Sequence, residues 1–274
     1  MFNTLIVNPL LNLLMAIYGM LPGHDFGVAV IIMTLILRFA MWPLTAKQLR
    51  SQKKLQALQP EIAKLRLEAG GDKAKENQLL MELYKETELN PFSSCLPLLL
   101  QFPFLIALFF VLKKASLPFD QISGLLYGPV KNIPYIEGLI SGAIKYDPML
   151  LRVIPMDTAS KVLAVIAGIT QYIQVKMIAP KNVDPNDQQA KMTSTMNYIF
   201  PAMTAFIAWS LPAALPLYWI TGNGVAIFQQ WLIMREETEK MEEAVIVEDT
   251  PNKALPKARK NQTKKPAAKK KRKK

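Results

Sequence analysis

The sequence has very few of the side chains on which most catalytic and metal sites depend. It contains one cysteine, Cys95, so a disulfide within the chain is impossible, and one histidine, His24, so a site of several histidines is excluded. It also contains no glycine-rich phosphate loop, no H-E-x-x-H metal motif and no G-x-S-x-G nucleophile turn. We therefore expect neither an enzyme nor a bound cofactor or metal ion.

Charge is missing from some stretches and concentrated in others. Residues 1–37 contain no lysine or arginine. Residues 251–274 contain twelve basic residues and no acidic one, whereas the other 250 residues have 21 basic and 21 acidic side chains. The whole net charge of +12 therefore lies in the C-terminal tail.

Apolar residues make up 51% of the chain and occur in blocks separated by charged segments, a pattern typical of integral membrane proteins. A helix needs roughly 20 apolar residues to cross about 30 Å of hydrocarbon, and five blocks are near that length. We predict an all-α integral membrane protein with five transmembrane helices, at 26–46, 92–113, 158–178, 196–211 and 214–234.

Residues 1–25 precede the first predicted span and are also apolar. They lack the basic start of a secretory signal. Asn8 and Pro9 are expected to break the segment, and the remainder, Leu10 to Leu21, is too short to span. We therefore predict an interfacial helix along the outer surface, with a sixth span as the alternative.

The distribution of basic residues predicts the orientation, because lysine and arginine accumulate on the cytoplasmic side of a membrane. The segment 47–91 contains nine of them, and the loop 114–157 contains four. We therefore expect the N-terminus and 114–157 outside, and 47–91 and 179–195 in the cytoplasm. Residues 235–274 are predicted to form a basic, disordered cytoplasmic tail.

The segment 47–91 predicts a cytoplasmic helical hairpin that resembles a short coiled coil. One apolar seam with 3-4-3 spacing precedes Gly70 and Gly71, and a second seam follows them. Leu55, Leu58, Ile62 and Leu65 form the first seam, and Leu79, Leu80 and Leu83 form the second. The segment is longer than most connecting loops, so we favour a functional role for this hairpin over a loop that is merely solvated.

An arginine lies inside the first predicted span, in the stretch TLILRFAMWPLT (34–45). An ionised side chain in hydrocarbon costs about 2.5–3.5 kcal/mol on insertion scales, and no acidic residue lies in the middle of any predicted span to pair with Arg38. Thr34 and Thr45 lie four residues before it and seven after it, on the same face of a straight helix. Arg38 either snorkels to the inner interface or faces a water-filled groove. We favour the groove, which would attract an anionic guest.

Amides and hydroxyls in the other predicted spans are expected on the walls of this groove, because such groups usually hydrogen-bond across membrane helices. They are Gln101 in the second span, Thr170, Gln171 and Gln174 in the third, and Thr221, Asn223, Gln229 and Gln230 in the fifth. Gln229 and Gln230 lie near the inner end of their span, so an interfacial position is the alternative for these two.

Three stretches resemble the YidC family of membrane protein insertases. They read LRFAMWPLTAKQLRSQKKLQALQPEI, LYKETELNPFSSCLPLLLQFPFLIALFFVL and FPAMTAFIAWSLPAALPLYWITGNGVAIFQQWLI, and they follow the family's order within residues 26–234. The resemblance implies the bacterial five-span core form without the large outer domain, which inserts and folds membrane proteins without ATP. It also implies a hydrophilic groove closed on the outside and containing Arg38, Thr34, Gln101 and Trp219. Ordinary packing is the alternative for Trp219.

The resemblance also implies a location in the bacterial plasma membrane and a set of partners. Nascent membrane proteins are the expected substrates, with the hairpin as the receiving element, and the chain works either alone or beside the Sec translocon. The tail KKPAAKKKRKK has two candidate partners, ribosomal RNA and the anionic lipids of the inner leaflet. The sequence leaves the oligomeric state open.

Two functions of other classes are also compatible with a buried arginine. A small-anion channel or transporter would use Arg38 as its filter, but transporters of this kind usually contain internal repeats, and we find none in the sequence. A purely structural assembly factor is the second alternative.

Removal of residues 251–274 tests the role of the tail. If the tail binds ribosomes, the truncated protein co-sediments with ribosomes less than the full chain does, and the difference shrinks as salt is raised, because counterion release drives the binding. Vesicles containing anionic lipid, sedimented with both proteins, are the comparison. Equal ribosome co-sedimentation by the two proteins would remove this role for the tail.

Overall fold

The computed structural model describes residues 1–87, 96–115, 117–179 and 188–248, with side chains except at 96–105, 188–194, 196 and 236–248. The chain divides into two units, Met1–Glu237 and Thr238–Lys274. The described elements, in chain order, are a π-helical segment Asn3–Val7, α1 Asn8–Met20, α2 Phe26–Ala40, α3 Trp42–Ala57, α4 Gln59–Ala69, α5 Lys73–Glu86, α6 Leu96–Ala115, α7 Phe119–Ser123, α8 Gly128–Lys131, α9 Pro134–Ile140, β1 Met149–Leu150, β2 Ile154–Pro155, α10 Lys161–Ile178, α11 Gln188–Ala208 and α12 Ala214–Glu248.

The N-terminal segment is continuous, so the predicted break at Asn8 and Pro9 is wrong. The π-helical segment runs directly into α1, and the Asn8 N–H donates to the Asn3 carbonyl. Pro9 lies in the first turn of α1, where the missing N–H of proline is tolerated, and the wider i→i+5 turns accommodate its ring. The helical segment is therefore longer than predicted. Its interfacial position stays a prediction, with the sixth span as the alternative.

Two helical segments among the described residues are long and apolar enough to cross a membrane, Asn3–Met20 and Lys161–Ile178. The pair α2 and α3 adds a third if it is counted as one bent span, and Asn197–Ala208 is a shorter apolar stretch. Each of the five predicted spans contains a helix. The five-span topology itself stays a prediction.

The first predicted span is bent and not straight. The axes of α2 and α3 meet at 63°. Pro43 lies in the first turn of α3, where it removes no helical hydrogen bond. The Met41 N–H donates to the Leu37 carbonyl and the Thr45 N–H to the Met41 carbonyl, so backbone bonding continues through the bend.

The main hydrophobic core lies around α1, which contacts α2, α6 and α9. One face of α1 is fully buried and consists of Leu11, Leu14, Met15 and Tyr18. Phe26 at the start of α2 and Tyr135 in α9 both meet the Tyr18 ring edge to face, with ring centroids 5.6 and 5.4 Å away. This arrangement is favourable for aromatic pairs.

The segment predicted as a hairpin contains three helices, because α3 ends at Ala57 and α4 begins at Gln59. Pro60 is in the first turn of α4, and a proline ring clashes with the carbonyl four residues earlier in a continuous helix. Gly70 ends α4 in the left-handed conformation with φ of 60°. The Asp72 carboxylate then caps α5 by accepting from the Ala74 N–H at 2.9 Å.

The helices α10 and α11 pack closely through small residues. A Cβ built on Gly168 would lie 2.8 Å from the Ala205 Cβ and 3.3 Å from the Pro201 carbonyl oxygen. Small residues of this kind let membrane helices approach one another. α11 begins at Gln188, so part of the predicted loop 179–195 is helical.

The predicted disordered tail is wrong for its first part, because α12 continues from Ala214 to Glu248. Residues 235–248 read REETEKMEEAVIVE and contain neither glycine nor proline. Glutamate, lysine, methionine and alanine favour helix, so this segment extends the helix. Residues 249–274 lie outside the described residues.

Buried hydrogen bonds attach the region between α6 and α10 to the helices. The Asn12 amide of α1 donates to the Leu125 carbonyl at 3.1 Å and accepts from the Tyr127 N–H at 2.6 Å. The Tyr146 hydroxyl donates to the Ala115 carbonyl at the end of α6. Burial raises the pKa of Tyr146 above its usual range, so the hydroxyl remains protonated and can donate.

A β-hairpin in the same region docks on the start of α2. Its turn residues Leu151 and Arg152 have φ values of 50° and 56°, a conformation unfavourable for side chains of this size. A Cβ built on Gly27 would lie 2.5 Å from the Leu150 Cβ, so the hairpin touches the α2 backbone closely. The Asp25 carboxylate caps α2 through the Val28 N–H at 2.9 Å and accepts from the Leu151 N–H at 2.5 Å.

We predict that Asp25→Ala loosens this hairpin. The substitution removes a helix cap and a bond to the strained turn, so it should lower the free energy of unfolding in detergent by about 2 kcal/mol. It should also increase trypsin cleavage after the exposed Arg152. The matched control is Asp72→Ala, whose described hydrogen bonds stay within the first turn of α5. It should cost about 1 kcal/mol and leave cleavage after Arg152 unchanged. Equal cleavage in both variants would contradict the link.

Candidate functional site

Arg38 lies in the last turn of α2 and is half-buried. Its guanidinium rests against Gly222 of α12, because a Cβ built on that glycine would stand 2.7 Å from Nη2 and 3.1 Å from Nε. Within the described part of the chain, no side chain hydrogen-bonds to Arg38 or forms an ion pair with it. The end of a helix favours a positive charge, since the helix dipole is negative there. The dipole of α2 therefore helps to stabilise this charge. No described residue supplies a counter-ion.

The two threonines grouped with Arg38 have different surroundings. Thr34 is fully buried, and its hydroxyl donates to the Val30 carbonyl at 2.7 Å. Thr45 lies beyond the 63° bend, so the single straight polar face expected for Thr34, Arg38 and Thr45 is wrong. The reason is that the i, i+7 relation holds only along one continuous helix axis.

A hydrogen bond joins α10 to α12 one residue after Gly222. The Asn223 amide, which is buried, donates to the Thr170 hydroxyl at 3.2 Å. The bond crosses between helices, as we expected for deep polar groups in this protein. Gln171 is half-buried and donates to Gln174 of its own helix at 3.0 Å.

A second contact joins α12 to the bend between α2 and α3. The Gln229 amide is buried and donates to the Thr45 hydroxyl at 2.7 Å and to the Trp42 carbonyl at 3.2 Å. The Gln229 side chain therefore bonds to two groups inside the helix packing, and an interfacial position stays the alternative for Gln229 and Gln230. Gln230, the next residue, is 2% exposed.

Buried amides of α3 and α12 have atoms without a partner. The atoms are Nε2 of Gln48, Oε1 of Gln52 and Oε1 of Gln230, none of which has a hydrogen bond within the described residues. A buried amide without a partner costs about 1–3 kcal/mol, and water is the usual partner in such places. Water is therefore the expected partner of these atoms.

Gln48 and Gln52 were not predicted as site residues, although their spacing in the sequence indicates a shared helix face. Thr45, Gln48, Gln52 and Gln56 recur at spacings of three and four, which places them on one face of α3. The Gln56 amide donates to the carbonyl of Ile178, the last residue of α10. The prediction for this segment relied on the leucine spacing and treated the other helix faces as solvated.

Four aromatic rings follow one another beside the bend, and the sequence reading did not group them. Phe39 stacks on Trp42 at 5.7 Å, Trp42 lies 6.4 Å from Phe228, and Phe228 lies 6.3 Å from Trp231. Phe39, Phe228 and Trp231 are each more than half exposed. Rows of exposed aromatic rings are typical of the membrane–water interface.

The two remaining predicted site residues are less informative. Gln101 lies in α6, and its side chain is outside the described residues. Trp219 is half-buried and packs against the hydrophobic core, which agrees with the alternative of ordinary packing. Among the residues that the structure describes, no group of three or more His, Cys, Asp or Glu could hold a metal ion. The predicted site residues therefore supply the positive charge of Arg38 and several amides and hydroxyls.

Comparison with known proteins assigns the family. The model of the family described as 60Kd inner membrane protein matches residues 17–241. A membrane protein insertase YidC of Clostridium tetani is 38% identical over 216 residues, which cover 79% of this chain and 84% of that protein. A membrane protein insertase YidC of Fusobacterium nucleatum is 33% identical over 212 residues, covering 77% and 87%.

Longer proteins and one solved structure are also similar. A YidC insertase of Syntrophobacter fumaroxidans is 33% identical, and this chain spans 38% of its length. The crystal structure of an active YidC insertase with its first transmembrane domain resolved aligns with a TM-score of 0.45 at 25% identity, over 74% of this chain and 40% of that one. From the family model and the relatives, the chain belongs to the YidC family, as its motifs indicated.

We predict that Gln229→Leu weakens the attachment of α12 to the bend. The variant loses two buried hydrogen bonds and leaves the Trp42 carbonyl with one donor fewer, so the free energy of unfolding in detergent should fall by about 2 kcal/mol. Gln171→Leu is the control, because the described bond of that amide stays within α10, and it should change stability much less. Equal losses in the two variants would show that the contact at the bend adds nothing.

Proposed function

We propose that this chain inserts membrane proteins into the bacterial plasma membrane, without covalent chemistry. Membership of the YidC family supports this, because the relatives in Clostridium tetani and Fusobacterium nucleatum are named membrane protein insertases. The family description as an inner membrane protein supports the location. The proposed substrates are nascent chains with a hydrophobic segment and a short polar or acidic tail.

The proposed binding place is a hydrated groove beside α2, α10 and α12, with Arg38 in it. One observation carries this proposal: Arg38 is half-buried, and no described side chain neutralises it. A charge in this position is tolerable only where water or a guest reaches it. The unpaired amide atoms of α3 and α12 also support hydration. Thr34, Gln101, Gln171 and Trp219 remain proposed members of the groove.

The proposed route begins at the helices α4 and α5, which we propose to form a cytoplasmic hairpin that meets the substrate first. Their mutual contact and the Arg66–Glu76 ion pair of 3.0 Å support a paired arrangement. The polar tail of the substrate then enters the groove, where Arg38 attracts it. The hydrophobic segment slides along the lipid side and partitions into lipid, driven by about 25 cal/mol per Å² of apolar surface removed from water.

The proposed orientation places the N-terminus outside and the C-terminus in the cytoplasm. The basic segment 47–91 supports it, and so does the aromatic row at the bend, which suits the inner interface. An acidic tail moving outward would gain roughly 2.3 kcal/mol per charge for each 100 mV of membrane potential. Ribosomes, anionic lipids and the Sec translocon remain proposed partners.

Substitution of Arg38 tests the proposal. In proteoliposomes, Arg38→Ala should reduce the insertion of a substrate with a short acidic tail by about tenfold or more, which corresponds to roughly 1.4 kcal/mol of lost attraction. Arg38→Lys should retain part of the activity, because the role requires a positive charge and not a planar fork. A protease-protection assay of the tail is the measurement.

The controls separate this function from its rivals. Arg152→Ala, an exposed arginine of the turn near α2, should insert the same substrate normally, and a substrate with a neutral tail should depend less on Arg38. Full insertion of acidic-tailed substrates by Arg38→Ala would overturn the charge-attraction model. Anion flux through the wild-type liposomes without any insertion would favour the channel.

A further inference from the structure

The contact between Arg38 and Gly222 is closer than any other residue type at position 222 would permit. A Cβ at this position would lie 2.7 Å from Nη2, 3.1 Å from Nε and 3.3 Å from Cζ of Arg38. Both nitrogens are nearer to this Cβ than Cζ, the carbon that joins them, so the Nε–Nη2 edge of the guanidinium faces α12 at this glycine. Side chains larger than hydrogen would occupy the same volume.

The backbone of Gly222 gives no other reason for a glycine. It is not among the glycines with positive φ, and in the middle of a helix glycine is less favourable than alanine. Gly222 is buried, and the three nearest heavy atoms to its virtual Cβ from outside its own stretch of helix all belong to Arg38. The space that the missing side chain leaves is therefore used by the guanidinium.

The helix that contains Gly222 is attached on both sides of this contact. Asn223 bonds to Thr170 of α10, and Gln229 bonds to the bend that follows Arg38. These bonds oppose a movement of α12 away from Arg38. The end of a flexible arginine side chain can move, so a larger residue at 222 displaces the guanidinium and spares the packing.

We propose that Gly222 is a positioning residue that lets the Nε–Nη2 edge of the Arg38 guanidinium rest against α12. It acts through Arg38 and touches no substrate in this scheme. The effect of this contact on insertion rests on the proposed function, whereas the placement of the guanidinium is a property of the free protein. Gly222 thus determines where along the groove the positive charge stands.

The test compares Gly222→Ala with Gly224→Ala. Gly224 lies in the same helix, is exposed, and has no heavy atom within 4 Å of its virtual Cβ, so it controls for the gain in helix propensity. Gly222→Ala should lower the insertion of an acidic-tailed substrate roughly threefold to tenfold, less than Arg38→Ala does, because the charge is displaced and not removed. The melting temperature in detergent should stay the same or rise. Gly224→Ala should insert normally.

Two further measurements separate positioning from a general defect. Adding Gly222→Ala to Arg38→Ala should cause no further loss, whereas Arg38→Lys should lose less on addition of Gly222→Ala than the wild type does, since an ammonium on a thin stem fits beside a methyl group. Phenylglyoxal modifies arginine side chains, and mass spectrometry measures how much of Arg38 is modified in the free protein. This extent of modification should change in Gly222→Ala and not in Gly224→Ala.

The possible results distinguish the two proposals. If Arg38→Ala inserts normally while Arg38 modification changes only in Gly222→Ala, the proposed function fails and the positioning stands. If Arg38→Ala is defective but Gly222→Ala equals Gly224→Ala in insertion and modification, the positioning is overturned. The positioning would also be overturned if Gly222→Ala lowered the melting temperature and reduced insertion equally in the wild type and in Arg38→Ala, because the glycine would then serve only packing.

Discussion

The cost of placing Arg38 inside an apolar helix is the constraint on which this part of the structure depends. A guanidinium removed from water is unfavourable unless it is paired or hydrated, and no described side chain pairs with it. α2 ends at Ala40, so its negative dipole end lies close to the charge. Gly222 leaves room for the guanidinium, and polar groups occupy the neighbouring turns of α12. These features reduce the cost without supplying a counter-ion.

One helix, α12, fixes the relative positions of the groups around that charge. Its Gly222 touches Arg38, its Asn223 bonds to α10, and its Gln229 bonds to the bend between α2 and α3. The three contacts lie within about two turns of helix, since seven residues rise roughly 10 Å. A shift of α12 would therefore change the placement of the charge and of the bend together.

The sequence predicted the parts of the site that depend on composition and failed where they depend on geometry. Arg38 stood out because a charge in an apolar run is costly, and Asn223 because a deep amide needs a partner. The bend at Met41 was not predicted, because a proline in the first turn of a helix does not indicate a change of axis. The bend separates Thr45 from the face of Arg38. Gln48 was missed because the leucine spacing of its segment dominated the reading. The contact at Gly222 requires tertiary packing, which no local pattern contains.

The absence of a counter-ion among the described residues has a consequence for how such a site handles passing chains. A carboxylate fixed beside Arg38 would neutralise it and remove its attraction for an acidic tail. A fully desolvated pocket would bind such a tail too tightly to release it, since transport sites need binding that is favourable on entry yet weak enough for exit. In the groove that we propose, the half-buried guanidinium of Arg38 beside hydrated helix walls would lie between these limits. In that scheme the position of the charge matters more than its strength, which is why we propose that a glycine that only makes room affects insertion.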